Sequence, residues 1–295
     1  MARFVFRGII GGDEVLDLYF SPDSEASNKL DYIYGLLAVT KSPITPDYTK
    51  SIREVTLEFM AWVLPIWKAT QRRGERTFSF LNLRATGLKR VDDLPSWAPV
   101  FSKADRRRSI ARVLAESCHA YGTVPELSNG LPIDIVGDSL WIKGIMAQTV
   151  MSVHDEHVSV NLLTTGLQKF IMEFIKSPQD IYPTGKSVFE VLYCTSLHKE
   201  KHDHYAFDIE TGRGNGHKNP MLFKTKDGYI GTMPDDVLLG DVVCVLAGSR
   251  ELAVLRPEDD HYLFVGCYFM IGLMNGEVSE LLKSGKAKIE EIEIR

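Results

Sequence analysis

Apolar runs separated by turn signals every six to ten residues fill residues 223–277. Lys226-Asp227-Gly228 is typical of a hairpin turn, because Asp-Gly tolerates the positive φ angles that tight hairpins need. Gly240-Asp241 introduces the apolar run 242–246. This short period is that of β structure rather than helix, and it predicts a small antiparallel sheet or barrel. An earlier run at 139–153 predicts a strand pair or one long bent strand, with Gly144 marking a bulge.

Helical spacing of apolar residues occurs elsewhere in the chain. It predicts short helices at 13–20 and 27–39, and further helices at about 50–64, 162–175 and 187–197. In the longest of these, either Thr49 or Ser51 can cap the first turn. The residues Ile52, Val55, Phe59, Trp62 and Val63 then share one face of that helix.

The predicted fold class is therefore α+β, with an antiparallel barrel-like sheet packed against several α-helices. Its strands are expected from about 139–153 and 220–273. A length of 295 residues with 44% hydrophobic positions is enough to bury a sizeable core. We expect one compact unit over 1–295, with 1–100 mainly helical, 130–160 and 218–295 mainly β, and helices and a flexible loop over 161–217.

The charge pattern and the cysteines narrow the possible partners. A formal net charge of −5 gives no nucleic-acid footprint, and Arg106-Arg107-Arg108 is interpreted as a solvated face. Four cysteines without a C-x-x-C pair indicate reduced, inert thiols inside a cell. No apolar run approaches the roughly 18 residues of a membrane span. The expected location is the cytoplasm, and the oligomeric state stays open.

Motifs that would carry metal or cofactor chemistry are weak. His198, His202 and His204 form an H-x-x-x-H-x-H cluster, but Lys199 and Lys201 beside it disfavour a cation, so a solvated loop is preferred to a metal site. His154 and His157 are interpreted in the same way. Residues 212–216 are glycine-rich but lack the strand and helix of a nucleotide fingerprint. The sequence has no G-x-S-x-G elbow, Walker loop or H-E-x-x-H, and we predict neither metal nor cofactor.

A family resemblance rests on motifs in the β-rich part and ahead of it. The β-rich part has F-x-T-x-x-G-Y-x-G-x-x-P from Phe223 to Pro234, G-D-V-V-C-V-L-x-G from Gly240, V-L-R-P from Val254, and G-x-M-x-G-E ending at Glu277. L-P-S-W-A-P lies at 94–99, and P-D-Y-T-K-S-I-R-E-V-T-L-E-F lies at 46–59. In this order the motifs resemble the C-terminal region of fungal heterokaryon-incompatibility (HET) proteins.

The resemblance covers the C-terminal region of that family's proteins and not the HET domain. The HET domain itself would precede the first matching segment, so we expect this chain to lack it, and cell-death signalling is not carried over. Stand-alone versions of this region occur in fungal terpenoid biosynthesis, and the chain resembles a norbornene-forming Diels–Alderase of the sordarin type. The resemblance thus implies a cofactor-independent pericyclase that catalyses an intramolecular [4+2] cyclisation of an apolar, terpenoid-type substrate.

Two function classes stay open. A cyclisation of this kind needs no nucleophile, only a pocket that holds diene and dienophile together and a hydrogen-bond donor to a carbonyl. The alternative is a non-catalytic, HET-derived interaction or regulatory module. A large closed apolar cavity would favour the enzyme, whereas a solid core with an exposed apolar patch would favour the module.

Candidate site residues follow from the expected contact between helices and sheet. Tyr229, Thr225 and His204 are the candidate catalytic hydrogen-bond donors. The candidate substrate-binding wall consists of Trp62, Trp97, Met233 and Tyr268. Glu277 is assigned a structural role, in which it accepts hydrogen bonds from the backbone or from Arg256.

Overall fold

The fold is taken from a computed structural model, which describes residues 26–72, 93–101, 120–122, 124–128, 132–153, 181–188, 190–191, 221–233 and 236–295. The helices predicted at 13–20 and 162–175 lie outside these residues. Of the helix predicted at 187–197, only the start is described, and residues 188, 190 and 191 are helical there.

Eight strands form one sheet in the described part of the chain. They are β1 (Ile133–Val136), β2 (Ser139–Val153), β3 (Met221–Thr225), β4 (Ile230–Met233), β5 (Val242–Leu246), β6 (Leu252–Glu258), β7 (His261–Met270) and β8 (Ile289–Ile294). Six of them pair in the order β2-β3-β4-β7-β6-β5, and β5 pairs again with β2 to close a ring. The predicted α+β class with an antiparallel barrel is confirmed.

Strand β2 holds the ring together because it has four partners. Its first half pairs with β1 and with β8, its middle pairs with β5, and its end pairs with β3. Of the two alternatives predicted at 139–153, the structure has the one long strand, but the predicted bulge at Gly144 is wrong. The register shifts lie at Met146–Gln148 and Val150–Ser152. Gly144 is instead needed for close packing, since a Cβ there would lie 2.7 Å from Ile292 Cδ1.

Strand β8 fills the part of the wall that the β3–β4 hairpin leaves open. It runs antiparallel to β2 from Leu140↔Ile294 to Ile145↔Ile289, and its last residue pairs in parallel with Tyr262 of β7. The main-chain N–H of Arg295 then donates to the Tyr262 carbonyl over 2.9 Å. The C-terminal residues are thus part of the barrel wall.

The helices are α1 (Asp31–Tyr34), α2 (Leu37–Thr40), α3 (Ile52–Arg72), α4 (Pro125–Ser128) and α5 (Val278–Lys283). The single helix predicted at 27–39 is wrong, because α1 and α2 are separate one-turn helices on either side of Gly35 and Leu36. Glycine weakens a helix, and the chain leaves α2 through Lys41 in the left-handed region, with φ of 53°.

Helix α3 begins as predicted but extends past the predicted end at 64. Ser51 caps it: the Ser51 hydroxyl accepts from the Glu54 N–H over 3.2 Å, and the Ser51 N–H donates to the Glu54 carboxylate over 2.8 Å. The helix continues through Pro65 to residue 72. Proline inside a helix costs about 3 kcal/mol. The apolar face that continues through Val63 to Trp67, both buried, offsets this cost.

The extended segment 93–101 connects α3 to the barrel. Trp97 Nε1 donates to the Asp138 carbonyl over 2.8 Å, and the Phe101 ring packs edge-on against Phe59 of α3. The Ser96 hydroxyl accepts from the Phe264 N–H over 2.7 Å and donates to the Arg295 carbonyl. Residues 96–101 therefore join the helix, the β1–β2 turn, β7 and the chain end.

Buried apolar residues from α1 to β8 form one hydrophobic cluster. Within the residues that the structure describes, no helix has the length and apolar character that crossing a membrane requires.

Candidate functional site

A cleft of about 770 Å³ lies between the β3–β4 hairpin, the segment 181–188 and helix α5 with the turn after it. We call it the Tyr229 cleft. Its apolar lining includes Tyr182, Val188, Tyr229 and Leu281. Its charged lining consists of Lys224, Asp227 and Lys286. The cleft is open to solvent, and Ile181 at its edge is 75% exposed.

Segment 181–187 folds into a tight hairpin that carries Tyr182 into the barrel wall. Tyr182 N–H donates to the Lys186 carbonyl over 2.9 Å, and Ile181 bridges Ser187. The Tyr182 side chain is 1% exposed. Its hydroxyl donates to the Ile271 carbonyl over 2.8 Å and accepts from the Ile230 N–H over 3.1 Å.

This tyrosine hydroxyl replaces one rung of the β4–β7 ladder. The ladder pairs Thr232 with Phe269 and Gly231 with Met270, so Ile230 and Ile271 would form the next pair. The Ile230 N–H and the Ile271 carbonyl are instead both hydrogen-bonded to the Tyr182 hydroxyl. One side chain from a distant segment thereby joins two strands at the cleft.

Replacing Tyr182 by phenylalanine is expected to lower the free energy of unfolding by about 1–3 kcal/mol. The change removes only the hydroxyl, and it leaves a buried N–H and a buried carbonyl without their shared partner. Urea unfolding followed by circular dichroism measures the loss. Tyr262→Phe is the matched control, because the Tyr262 hydroxyl makes no hydrogen bond with a described residue, and it should change stability by less than about 0.5 kcal/mol. Equal effects of the two variants would refute the bridging role.

Tyr229 lies at the end of the predicted hairpin turn, where Gly228 has φ of 90°. The Tyr229 N–H donates to the Thr225 hydroxyl over 3.1 Å, and its carbonyl accepts from the Thr225 N–H over 2.8 Å. Its ring meets the Tyr182 ring edge-on, with centroids 5.6 Å apart. A Cβ at Gly272 would lie 3.1 Å from Tyr229 Cε1 and 2.5 Å from Thr184 Cγ2, so this close approach requires glycine.

The Tyr229 hydroxyl makes no hydrogen bond with any residue that the structure describes. Burial raises the pKa of this phenol, and the negative charges of Asp227, Glu277 and Glu280 raise it further. Both causes disfavour the phenolate, so the hydroxyl keeps its proton at neutral pH. Tyr229 is thus a protonated donor, without a partner among the described residues, in a cleft of mixed apolar and charged lining.

The other predicted site residues occupy different places. Thr225 is buried and contacts the Tyr229 backbone rather than lining the cleft. Trp97 is buried beside the β1–β2 turn, Trp62 is half-buried on α3 against Phe59, and Tyr268 of β7 packs edge-on against Phe223. None of these three lines the Tyr229 cleft. Met233 ends β4, its side chain lies outside the described residues, and so does the whole of His204.

A buried ion pair that the sequence did not predict lies in the barrel wall. Arg256 Nε and a terminal nitrogen donate to the two oxygens of Asp241, each over 2.9 Å. Arg256 therefore pairs with Asp241 and not with Glu277. Glu277 accepts from the Asn275 N–H over 2.7 Å, which confirms its structural role through the backbone.

The described cysteines fit inert core thiols. Burial raises the pKa of Cys244, and burial followed by the nearby Glu251 raises that of Cys267. Within the described residues no group of three or more His, Cys, Asp or Glu side chains could hold a metal ion. The histidines at 154, 157, 198 and 202 and the glycine-rich stretch at 212–216 lie outside the described residues.

Sequence reasoning missed Tyr182, Leu281 and Lys286 as lining residues. No local motif marks them, because the cleft forms only where segments far apart in the chain meet on the hairpin. The one related signal in the sequence is Gly272, which has a positive φ and leaves no room for a Cβ beside Thr184 and the Tyr229 ring.

Comparison with known proteins is consistent with this geometry. Residues 193–286 match the family model of the Het-6 beta-barrel domain. No curated protein and no solved structure matches the chain. The matched range contains β3 to β7 and α5, whereas β2 and β8, which complete the barrel, lie outside it. Residues 193–286 are therefore similar to a Het-6 beta-barrel domain, which supports the resemblance of the chain to the C-terminal region of HET proteins.

Proposed function

We propose that the chain is a cofactor-independent biosynthetic enzyme that binds an apolar small molecule in the Tyr229 cleft. The observation that carries this proposal is a free, protonated tyrosine hydroxyl in a cleft of about 770 Å³. Pockets for small molecules have volumes of roughly 300–1,000 Å³ and combine apolar walls with a few polar groups. The volume of the cleft lies in this range, and its lining combines apolar side chains with three charged ones.

The reaction that we assign to it is an intramolecular [4+2] cyclisation of a terpenoid-type substrate. Such a reaction forms two carbon–carbon bonds from the diene and the alkene, with no proton transfer and no leaving group. Apolar walls from Tyr182, Val188 and Leu281 would hold the two partners in a reactive geometry. The Tyr229 hydroxyl would donate to a carbonyl on the dienophile, which polarises the alkene.

His204 remains the second proposed donor, and Thr225 is proposed to act as a positioning residue. Thr225 fixes the backbone of Tyr229 through its hydroxyl, so its removal would act through the position of the phenol. Trp62, Trp97, Met233 and Tyr268 remain the proposed wall of a larger binding region, in which Trp97 and Tyr268 act as buried support for the barrel.

Replacing Tyr229 by phenylalanine is expected to lower kcat/KM by about 10²-fold, since one donor to a developing charge is worth that much. The assay follows conversion of a terpenoid that bears a cyclopentadiene and a tethered, carbonyl-activated alkene. Because the phenol pKa is raised, the pH–rate profile should show no decline from phenol ionisation up to about pH 10. Unfolding free energy should stay within about 0.5 kcal/mol of the unmodified protein.

Two results would contradict these assignments. No acceleration over the uncatalysed cyclisation would refute the enzyme proposal. If Tyr229→Phe, Thr225→Val and His204→Ala all fold and turn over normally, the enzyme could stand but the donor assignment would be wrong.

An interaction module is the second candidate, and the exposed apolar side chains favour it. Ile181 at the cleft edge is 75% exposed, and Leu239 in the turn before β5 is 67% exposed. A partner segment could cover such residues. Saturable binding of small apolar probes in the cleft would favour the enzyme. Binding of a partner protein that is abolished by Ile181→Ser, with no small-molecule binding, would favour the module.

A further inference from the structure

We propose that the molecule recognised by the Tyr229 cleft carries an anionic group, which Lys286 binds. This inference rests on the proposed function, since it assumes that the cleft holds an apolar small molecule. It specifies the charge of that molecule and the residue that recognises the charge.

The backbone at Lys286 is fixed by the end of helix α5. Gly285 adopts a left-handed conformation with φ of 70°, and its N–H donates to the Leu282 carbonyl over 3.0 Å. The Lys286 N–H donates to the Leu281 carbonyl over 2.9 Å. This C-terminal cap turns the chain so that the Lys286 side chain lines the cleft next to Leu281.

Lys286 has no counter-ion among the described residues, and the same holds for Lys283 on α5, whereas two other lysines are paired. Lys186 pairs with Glu190 at 3.4 Å, and Lys288 pairs with Glu290 at 3.0 Å. Within the described part of the chain, Lys286 makes no ion pair. Its ammonium group is therefore available to a ligand.

The balance of charge in the cleft also favours an anion. Two lysines, Lys224 and Lys286, line it with a single carboxylate, Asp227. The Asp227 carboxylate accepts from the Gln148 amide over 3.0 Å, so it is held by a neutral donor. Glu277 and Glu280 act on the Tyr229 phenol from outside the lining. An acidic group is therefore expected at Lys286, away from Tyr229.

An apolar molecule with one acid group, such as a carboxylate, fits both the apolar lining of the cleft and Lys286. Its apolar body would contact Tyr182, Val188 and Leu281, and its acid would pair with the ammonium group at the mouth. Because Lys286 is exposed, the ion pair should contribute about two- to fivefold in affinity.

A pair of fluorescent probes tests this directly. 1-Anilinonaphthalene-8-sulfonate and N-phenyl-1-naphthylamine share one apolar skeleton and differ in the sulfonate. The folded full chain should bind the sulfonate probe about two- to fivefold more tightly. Lys286→Met should remove that preference and leave the affinity for the neutral probe unchanged. Lys286→Arg, which keeps the charge, should retain the preference.

The matched control is Lys283→Met, since Lys283 is an exposed lysine on the same helix that does not line the cleft. It should leave both affinities unchanged. Equal affinities for the two probes, or an equal loss with Lys286→Met and Lys283→Met, would overturn the role of Lys286 while leaving an apolar cleft intact. Failure of both probes to bind would instead overturn the proposed cleft function, and this inference with it.

Discussion

Replacing Asp241 by asparagine is expected to lower the free energy of unfolding by about 3 kcal/mol, the lower end of the cost of breaking a buried ion pair. Asp241 is 1% exposed, and its Oδ2 also accepts from the Leu238 N–H over 2.8 Å. Arg256 donates to both carboxylate oxygens and to the Asp236 carbonyl. The asparagine would leave this guanidinium without its charge partner. Urea unfolding measures the loss.

The exposed pair of Lys68 and Asp134 provides the control for Asp241. Their side chains are 2.7 Å apart, and Asp134 is 74% exposed. Asp134→Asn should cost less than about 1 kcal/mol, as exposed ion pairs do. The double variant Asp241→Asn with Arg256→Met should lose less than the sum of its single changes, because no unpaired charge then remains. Additive losses would contradict the coupling.

Replacing Trp97 by alanine is expected to lower the free energy of unfolding by about 3–5 kcal/mol. The indole is 1% exposed, and its Nε1–H bonds to the Asp138 carbonyl over 2.8 Å. The change leaves a cavity in the segment that joins α3 to the barrel, and it removes the partner of that carbonyl. Thermal and urea unfolding both measure the effect.

Trp62 provides the matched comparison, because it is a half-buried tryptophan on the same side of the core. Trp62→Ala should cost about half as much, since part of its ring already contacts water. Trp97→Phe should fall between the two, because it keeps an aromatic ring but loses the hydrogen bond. A larger loss for Trp62→Ala than for Trp97→Ala would show that segment 93–101 does not join helix and barrel as described.

Local patterns predicted the central strands well because a turn and an apolar run in the same short segment determine each of them. The Asp227-Gly228 turn sets the β3–β4 hairpin, and the apolar run 242–246 is a buried strand in both prediction and structure. The extension of α3 through Pro65 could not be predicted from proline, whose local cost is offset by tertiary burial of Trp67. Strand β8 was also missed, because half of its sequence IEEIEI is acidic. Its strand conformation is stabilised by pairing with the distant strand β2.

The candidate site was predictable only where one hairpin contains it. Tyr229 and Thr225 are four residues apart, and the turn chemistry between them brings them together. Tyr182 and Lys286 reach the same cleft from segments separated by about a hundred residues. Nothing in either local sequence specifies that meeting, since it depends on how the hairpin at 181–187 and the end of α5 pack on the barrel.

The many partners of β2 have a consequence for the order of folding during synthesis. β2 ends at Val153, and β1 just before it is made with it, but its other partners begin at residue 221 with β3 and extend to residue 294 with β8. At roughly 5–20 residues per second, a ribosome needs on the order of 10–30 s to add that stretch. The barrel cannot close before then. The part of β2 that β1 does not pair must therefore stay unpaired in the nascent chain, and we expect a chaperone to bind there.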